Sequence, residues 1–266
     1  MNIQLSNKRM LEYGLNESDS NIFSFSTTRH GGYSEGTYAS FNCNDYCGDD
    51  LELVGRNQRL LREMLPGCPE LIIPHQVHKT EVKIIDSFFL QQDESVRKEI
   101  LEGVDAIVSD QKGVCLCIST ADCIPVLCYD TRKQIIAAAH AGWRGTVERI
   151  VEKTLRLMME QYGTNCADVK AVIGPGISLE SFEVGDEVYQ AFVSARFDMN
   201  YIAKRYAKWH IDLWEANRLQ LLRCGVHAEN IEIANVCTYK QHDDFFSARR
   251  LGIRSGRILT GIMLKK

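Results

Sequence analysis

A chain of 266 residues lies at the upper end of one domain and can bury a large core. Its 45% hydrophobic and 25% charged residues are those of an ordinary globular protein, and a net charge of −4 offers no general attraction to nucleic acid or anionic membrane. Residues 1–13 hold no apolar leader and no run approaches the ~18 apolar residues of a membrane span. With ten cysteines in a chain too long for a small disulfide scaffold, a reduced cytoplasmic protein is expected.

The first strand is predicted over residues 22–27, ahead of the glycine-bearing loop Arg29-His30-Gly31-Gly32. Leu53, Leu60, Leu61 and Met64 recur at near-helical spacing and predict a helix over 51–65, stopped by Pro66-Gly67. Strands follow at 71–73, 82–85, 106–109, 114–119, 124–129 and 134–139. A long amphipathic helix is predicted over 146–162, with Ile150, Val151, Leu155 and Met158 as its inner stripe. A strand over 169–173 ends at Gly174-Pro175-Gly176. Two helices over 185–195 and 212–224 and late strands at 231–235 and 259–263 complete the chain. No linker or repeat interrupts it. Strands gather early and helices late, so a mixed α/β (α+β) fold is expected, one domain over 1–266 with a mixed central β-sheet flanked by helices.

Chemically capable residues stand where two of these strands end. Cys123 follows the small polar turn Ser119-Thr120-Ala121-Asp122 and precedes Pro125, which closes off a regular ladder; such a strand break turns a thiol toward a cavity. His140 ends the run Ile135-Ile136-Ala137-Ala138-Ala139 and enters Ala141-Gly142-Trp143-Arg144-Gly145. The glycines there permit a sharp turn and close approach to a ligand, and the next helix N-terminus can receive an anion. His75 and His78 follow Pro74 in an extended segment, where they point to opposite faces, so at most one reaches a site. Cys115 and Cys117 share one strand face, the pattern of packing. Cys43 and Cys47 lack the partner pair of a four-cysteine zinc site. Arg29 beside flexible glycines suits an anion or ribose contact. The basic run 245–250, with Arg254 and Arg257, reads as a strand alternating between core and surface rather than a nucleic-acid face. No Walker or dinucleotide fingerprint is present. On spacing alone, a metal site and a Cys123–His140 nucleophilic pair stand level.

Taken in order, His75-Gln76-Val77-His78, Thr120-Ala121-Asp122-Cys123-Ile124-Pro125-Val126, His140-Ala141-Gly142-Trp143-Arg144-Gly145, Ile173-Gly174-Pro175-Gly176-Ile177, Phe182-Glu183-Val184-Gly185 and Cys237-Thr238-Tyr239 resemble the YfiH family. This family is also called laccase-domain, polyphenol-oxidase or peptidoglycan-editing-factor, and its purine nucleoside phosphorylase type is the match. The resemblance runs from Phe25 to Arg257. It implies a YfiH-like catalytic domain with zinc held by His78, Cys123 and His140. Two imidazoles and a thiolate leave a fourth tetrahedral position open, as catalytic zinc requires. The implied reactions are phosphorolysis of adenosine, inosine and methylthioadenosine, and deamination of adenosine to inosine by zinc-activated water.

The same resemblance makes His78, Cys123 and His140 catalytic, with Asp122 orienting the site or assisting proton transfer. It places Arg29 and Asn42 near phosphate or ribose, with Gln76 and Arg249 as further substrate contacts. The expected partners are a purine nucleoside and phosphate, without nucleic acid or membrane, and the expected state is a monomer. Two other readings attach to the family names. One is a copper-dependent polyphenol oxidase, for which seven histidines are few. The other is a peptidoglycan-precursor amidase or editing hydrolase with Cys123 as nucleophile. The H-x-E…P-C-x-x-C signature of other zinc deaminases is missing. Lys79 replaces a common glycine, Asn44 and Tyr46 a common glycine and histidine, and Ala248 a common tyrosine. These departures spare the ligand set and bear on substrate preference.

Overall fold

The computed structural model describes residues 4–6 and 9–265. Its strands are β1 (Gln4–Ser6), β2 (Met10–Glu12), β3 (Ile22–Thr27), β4 (Glu70–Ile72), β5 (Val82–Ile84), β6 (Ala106–Ser109), β7 (Val114–Thr120) and β8 (Ile124–Asp130). There follow β9 (Ile135–Ala141), β10 (Val169–Ile173), β11 (Glu183–Val184), β12 (Ala203–Arg205), β13 (Trp209–Ile211), β14 (Ile231–Ile233) and β15 (Ile258–Leu264). The expected mixed architecture is present, with two large sheets where one was anticipated. They are ordered β1-β2-β3-β15-β7-β4 and β14-β10-β8-β9-β6-β5, with a small sheet β11-β13-β12 beside them. Parallel pairs β4–β7, β5–β6 and β10–β14 sit in otherwise antiparallel ladders.

Side-chain alternation along the strands builds the layers. Leu116 and Ile118 of β7 with Ile258 and Ile262 of β15 meet Ile107, Leu127, Ile136 and Ala138 of the facing sheet, and this is the central core. The outer face of the first sheet carries Phe25, Cys115, Cys117, Leu259 and Met263, covered by Leu61 of helix Leu51–Met64. The outer face of the second carries Val126, Cys128, Ala137, Ala139 and Ala171. Helices Ile150–Tyr162 and Leu213–Arg223 cover it, and the alanines let them approach closely. The stack therefore runs helix, sheet, sheet, helices. Cys115 and Cys117 are packing, as their spacing suggests, and so is Cys128 on the other sheet. Among the described residues, no helix is long and apolar enough to cross a membrane.

Two local expectations fail for physical reasons. The predicted helix over 146–162 is two helices, Trp143–Val147 and Ile150–Tyr162, parted at Arg149 with φ 67°. The Arg149 guanidinium donates to the Ala195 carbonyl at 2.7 Å and lies 3.6 Å from the Phe197 ring centroid, so tertiary contacts hold the break. Pro125 does not end a ladder; it lies inside β8, paired with His140 of β9. Its other neighbour, Gly174, donates its N–H to the Pro125 carbonyl. The Gly174 carbonyl, which a residue with an N–H would have filled, accepts from Trp214 Nε1 at 3.2 Å instead.

Candidate metal centre

The β8–β9 ladder closes with the pair Ile124–Ala141, preceded by Pro125–His140. Cys123 is thus one residue beyond the last pair and His140 one residue inside it, and the two meet at the same end of the sheet. His78 reaches them from the segment between β4 and β5. The ligand atoms of His78, Cys123 and His140 all lie within 4.8 Å of one another, the one such group of three among the described residues. The two imidazoles meet edge to face with centroids 4.8 Å apart.

Asp105, fully buried just ahead of β6, organises this group. One of its oxygens accepts the Nδ1–H of His140 at 2.8 Å and the backbone N–H of His78 at 3.0 Å; the other accepts from Val77 at 3.3 Å and Lys79 at 2.8 Å. The carboxylate therefore fixes His140 with Nε2 free for the site. It also clamps the turn in which His78 takes a left-handed φ of 61°.

The charges are strongly coupled. Burial pushes the Cys123 thiol up, but His140 and His78 overcome this and bring it down to about 6. Burial pulls His140 down, while the Cys123 thiolate and Asp105 raise it to about 9. Burial would also raise Asp105, and His140 with the backbone N–H donors holds it below the usual carboxylate range. Without metal, the site is a thiolate–imidazolium pair backed by a carboxylate.

The donor set fits zinc. Ligand atoms about 2.0–2.3 Å from a tetrahedral ion lie about 3.3–3.8 Å apart, so the observed group, within 4.8 Å, would close by about 1–1.5 Å at its widest. A β-carbon on Gly142 would lie 3.0 Å from Cys123 Sγ and 3.1 Å from His78 Cδ2. Gly142 has φ −67°, which any residue can adopt, so its role is steric. Gly142→Ala is expected to lower zinc affinity by about 10-fold or more, as displacement of a ligand's support does. The melting temperature of the metal-free protein should stay within about 3 °C of wild type, about 1 kcal/mol for a chain this long. Metal titration beside thermal unfolding checks both.

His78, Cys123 and His140 line a cavity of about 290 Å³, at the small end of small-molecule sites. Its wall also includes Tyr46, His75, Gln76, Thr120, Ile253 and Arg257. A larger hollow of about 670 Å³ shares Tyr46 but is lined by none of these three residues.

The remaining candidates divide between wall and scaffold. Gln76 lines the cavity, with its amide locked to Ser119: Nε2 donates to the carbonyl at 2.9 Å and Oε1 accepts the N–H at 2.8 Å. Asp122, at φ 91°, turns its carboxylate to the Thr238 hydroxyl and the Arg249 backbone N–H, each at 2.7 Å. It ties the Cys123 turn to the segment 237–249. Arg29 and Asn42 do not line the cavity. Arg29 donates to the carbonyls of Ala39 and His242. Asn42, fully buried, binds Asp49, the Asn44 backbone and the Arg257 N–H. Both residues anchor loops through these bonds. Arg249 directs its guanidinium to the Glu183 carbonyl at 3.2 Å, also away from the cavity.

His75 joins His78 on the cavity wall, against the expectation that only one would arrive. The segment is a turn with a left-handed residue rather than a strand, so face alternation does not apply. Asp105 escaped sequence reasoning, although an acid heading a buried apolar strand signals a buried partner. Arg257, expected only as part of a basic run, also lines the wall, and its guanidinium donates to the carbonyls of Ile253, Ser255 and Gly256.

Residues 23–265 match the family described as multi-copper polyphenol oxidoreductase laccase, and the chain belongs to it, in its YfiH-type branch. The chain is 56% identical over 263 residues to a purine nucleoside phosphorylase of Bacteroides thetaiotaomicron, covering 97% of each. It is 41% identical over 248 residues to adenosine deaminase RL5 of an unknown prokaryotic organism, covering 92% of this chain and 94% of the other. The solved structure of the hypothetical protein YfiH of Bacillus licheniformis, 25% identical, has a TM-score of 0.90 over 99% of both chains.

Proposed function

We propose that the protein is a zinc-dependent purine nucleoside enzyme, cleaving adenosine, inosine and methylthioadenosine with phosphate and deaminating adenosine to inosine. The carrying observation is the His78–Cys123–His140 group on the wall of a small-molecule cavity. The phosphorylase and deaminase names of relatives 56% and 41% identical support the same reading. Zinc held by these three residues would supply Lewis acidity to the reaction. The chain's own groups do the rest. Asp105 holds the Nδ1 proton of His140, Asp122 positions the Cys123 turn, and Gln76 braces the wall against β7. Arg257 brings a positive charge to the cavity and attracts phosphate. In phosphorolysis a phosphate oxygen bonds to C1′ as the bond from C1′ to the base breaks, and the base leaves with the electron pair and gains a proton. In deamination, water adds at C6 and ammonia departs. All ten cysteines are unpaired, which accords with a reducing cytoplasm.

The depressed Cys123 thiol beside His140 favours one second reading, a hydrolase with Cys123 as nucleophile. The second imidazole at the sulfur favours a ligand instead. Copper oxidation of phenols in the multicopper manner needs several linked sites, and the described residues assemble one. Metal analysis, paired with adenosine incubated with and without phosphate, decides. One zinc per chain, phosphate-dependent adenine and phosphate-independent inosine are expected. Metal-free protein labelled at Cys123 by substrate-like electrophiles would replace this reading with the hydrolase, and several copper ions with phenol oxidation would replace it with the oxidase.

A further inference from the structure

Ile253 is 80% exposed, more than any other large hydrophobic residue among those described. A loose loop does not account for this. Arg257 Nη2 donates to the Ile253 carbonyl at 2.9 Å, and Thr37 Oγ1 donates to the Arg254 carbonyl at 2.7 Å. Ser255 Oγ donates to Gly252 at 2.7 Å, and the Gly256 N–H donates to Thr37 at 3.2 Å. The fold thus holds an isoleucine in water, on the wall of the cavity that carries the metal group. Tyr46, from the loop 42–49, lines the same cavity and is 39% exposed. Its ring stacks on His75, centroids 4.2 Å apart, and His75 Nδ1 is fixed by Glu102 at 2.8 Å. Two apolar groups, each held by polar bonds behind it, are kept in solvent beside a reactive centre.

We infer that Ile253 and Tyr46 are the contacts that hold the purine ring. This rests on the nucleoside reading above. Of the parts of adenosine, inosine and phosphate, only the base offers an apolar flat surface to them; ribose and phosphate call for polar partners. Such contacts bury the ring's carbon skeleton and do not read the group at C6. Adenine and hypoxanthine present the same skeleton, so one pair of side chains serves both.

The test is steady-state kinetics on zinc-loaded protein. Ile253→Ser is expected to raise KM for adenosine and for inosine by the same factor, about 5- to 20-fold, with partial loss of one isoleucine's burial. The kcat, KM for phosphate and zinc content should stay at wild-type values, and Ile253→Leu should restore KM. Tyr46→Ala should raise KM about 5- to 100-fold, the worth of one base–aromatic contact, with Tyr46→Phe close to wild type. At 80% exposure Ile253 carries no folding burden, so its variant isolates binding from stability. Wild-type turnover with unchanged KM in both variants overturns the base contact and leaves the nucleoside reading standing. Unequal factors for adenosine and inosine overturn it as well, because the side chains would then be reading C6. Wild-type protein that turns over no purine nucleoside overturns the nucleoside reading and the contact with it.

Discussion

Protein carrying Cys123→Ala is expected to purify without zinc and to lose nucleoside turnover by more than the about 10- to 100-fold that loss of an outer partner costs. In the proposed zinc site the sulfur is one of three ligands, and two imidazoles alone do not complete such a site. The same substitution removes the thiolate that keeps His140 protonated up to about 9, so the imidazole should titrate lower. In the metal-free wild type the ion pair has a defined window. As pH falls through about 6 the thiol regains its proton, and as pH rises through about 9 the imidazolium loses its own. Between these values zinc must displace the His140 proton, so metal uptake at neutral pH releases about one proton. Metal analysis, nucleoside assay and an NMR titration of the imidazole check the three statements. Full zinc content in Cys123→Ala would overturn the ligand assignment.

Asp105→Ala should be the most damaging substitution for the fold itself. The carboxylate is fully buried and is bonded to the His140 imidazole and to three backbone N–H groups. Removing it strands all four donors, and the expected loss is about 3–5 kcal/mol in urea unfolding. Zinc affinity should fall about 10- to 100-fold in the protein that remains folded, because His140 loses its orientation and the His78 turn its clamp. Asp105→Asn keeps the volume and one acceptor and should lie between. The pH dependence has a fixed sign. Asp105 is depressed in the native state, so its contribution is present above the unfolded carboxylate value of about 3.9 and fades as pH falls through the native one. The stability gap between wild type and variant should therefore narrow in acid. An equal gap at all pH values would place the loss in packing instead.

The apolar runs ending at Cys123 and His140 were legible because a strand that delivers a polar residue to its end leaves a plain mark in sequence. Their meeting required the β8–β9 pairing, which the adjacency of two short strands suggests. His78 was legible only through the family resemblance, since face alternation fails once Asp105 bends the segment left-handed. Arg29 and Asn42 show what a sequence leaves out: the hydrogen bonds they make go to distant loop carbonyls and N–H groups that no local pattern encodes. At Arg149 and Pro125 local propensity favours a continuous helix and a broken strand, and contacts with Phe197 and Trp214 reverse both.

The pairing of Pro125 with His140 acts as a ruler for the metal group. In a ladder, neighbouring side chains project to opposite faces, so a slip of one residue would exchange His140 for Ala139 or Ala141 and carry the imidazole away from the thiol. Proline at this position supplies no N–H and so cannot join a competing bond pattern, while the Trp214 indole occupies the carbonyl left over. The spacing of two ligands is thereby written in main-chain registration rather than in the length of the turn at 131–134. That turn can change its composition without altering the distance between the thiol and the ring.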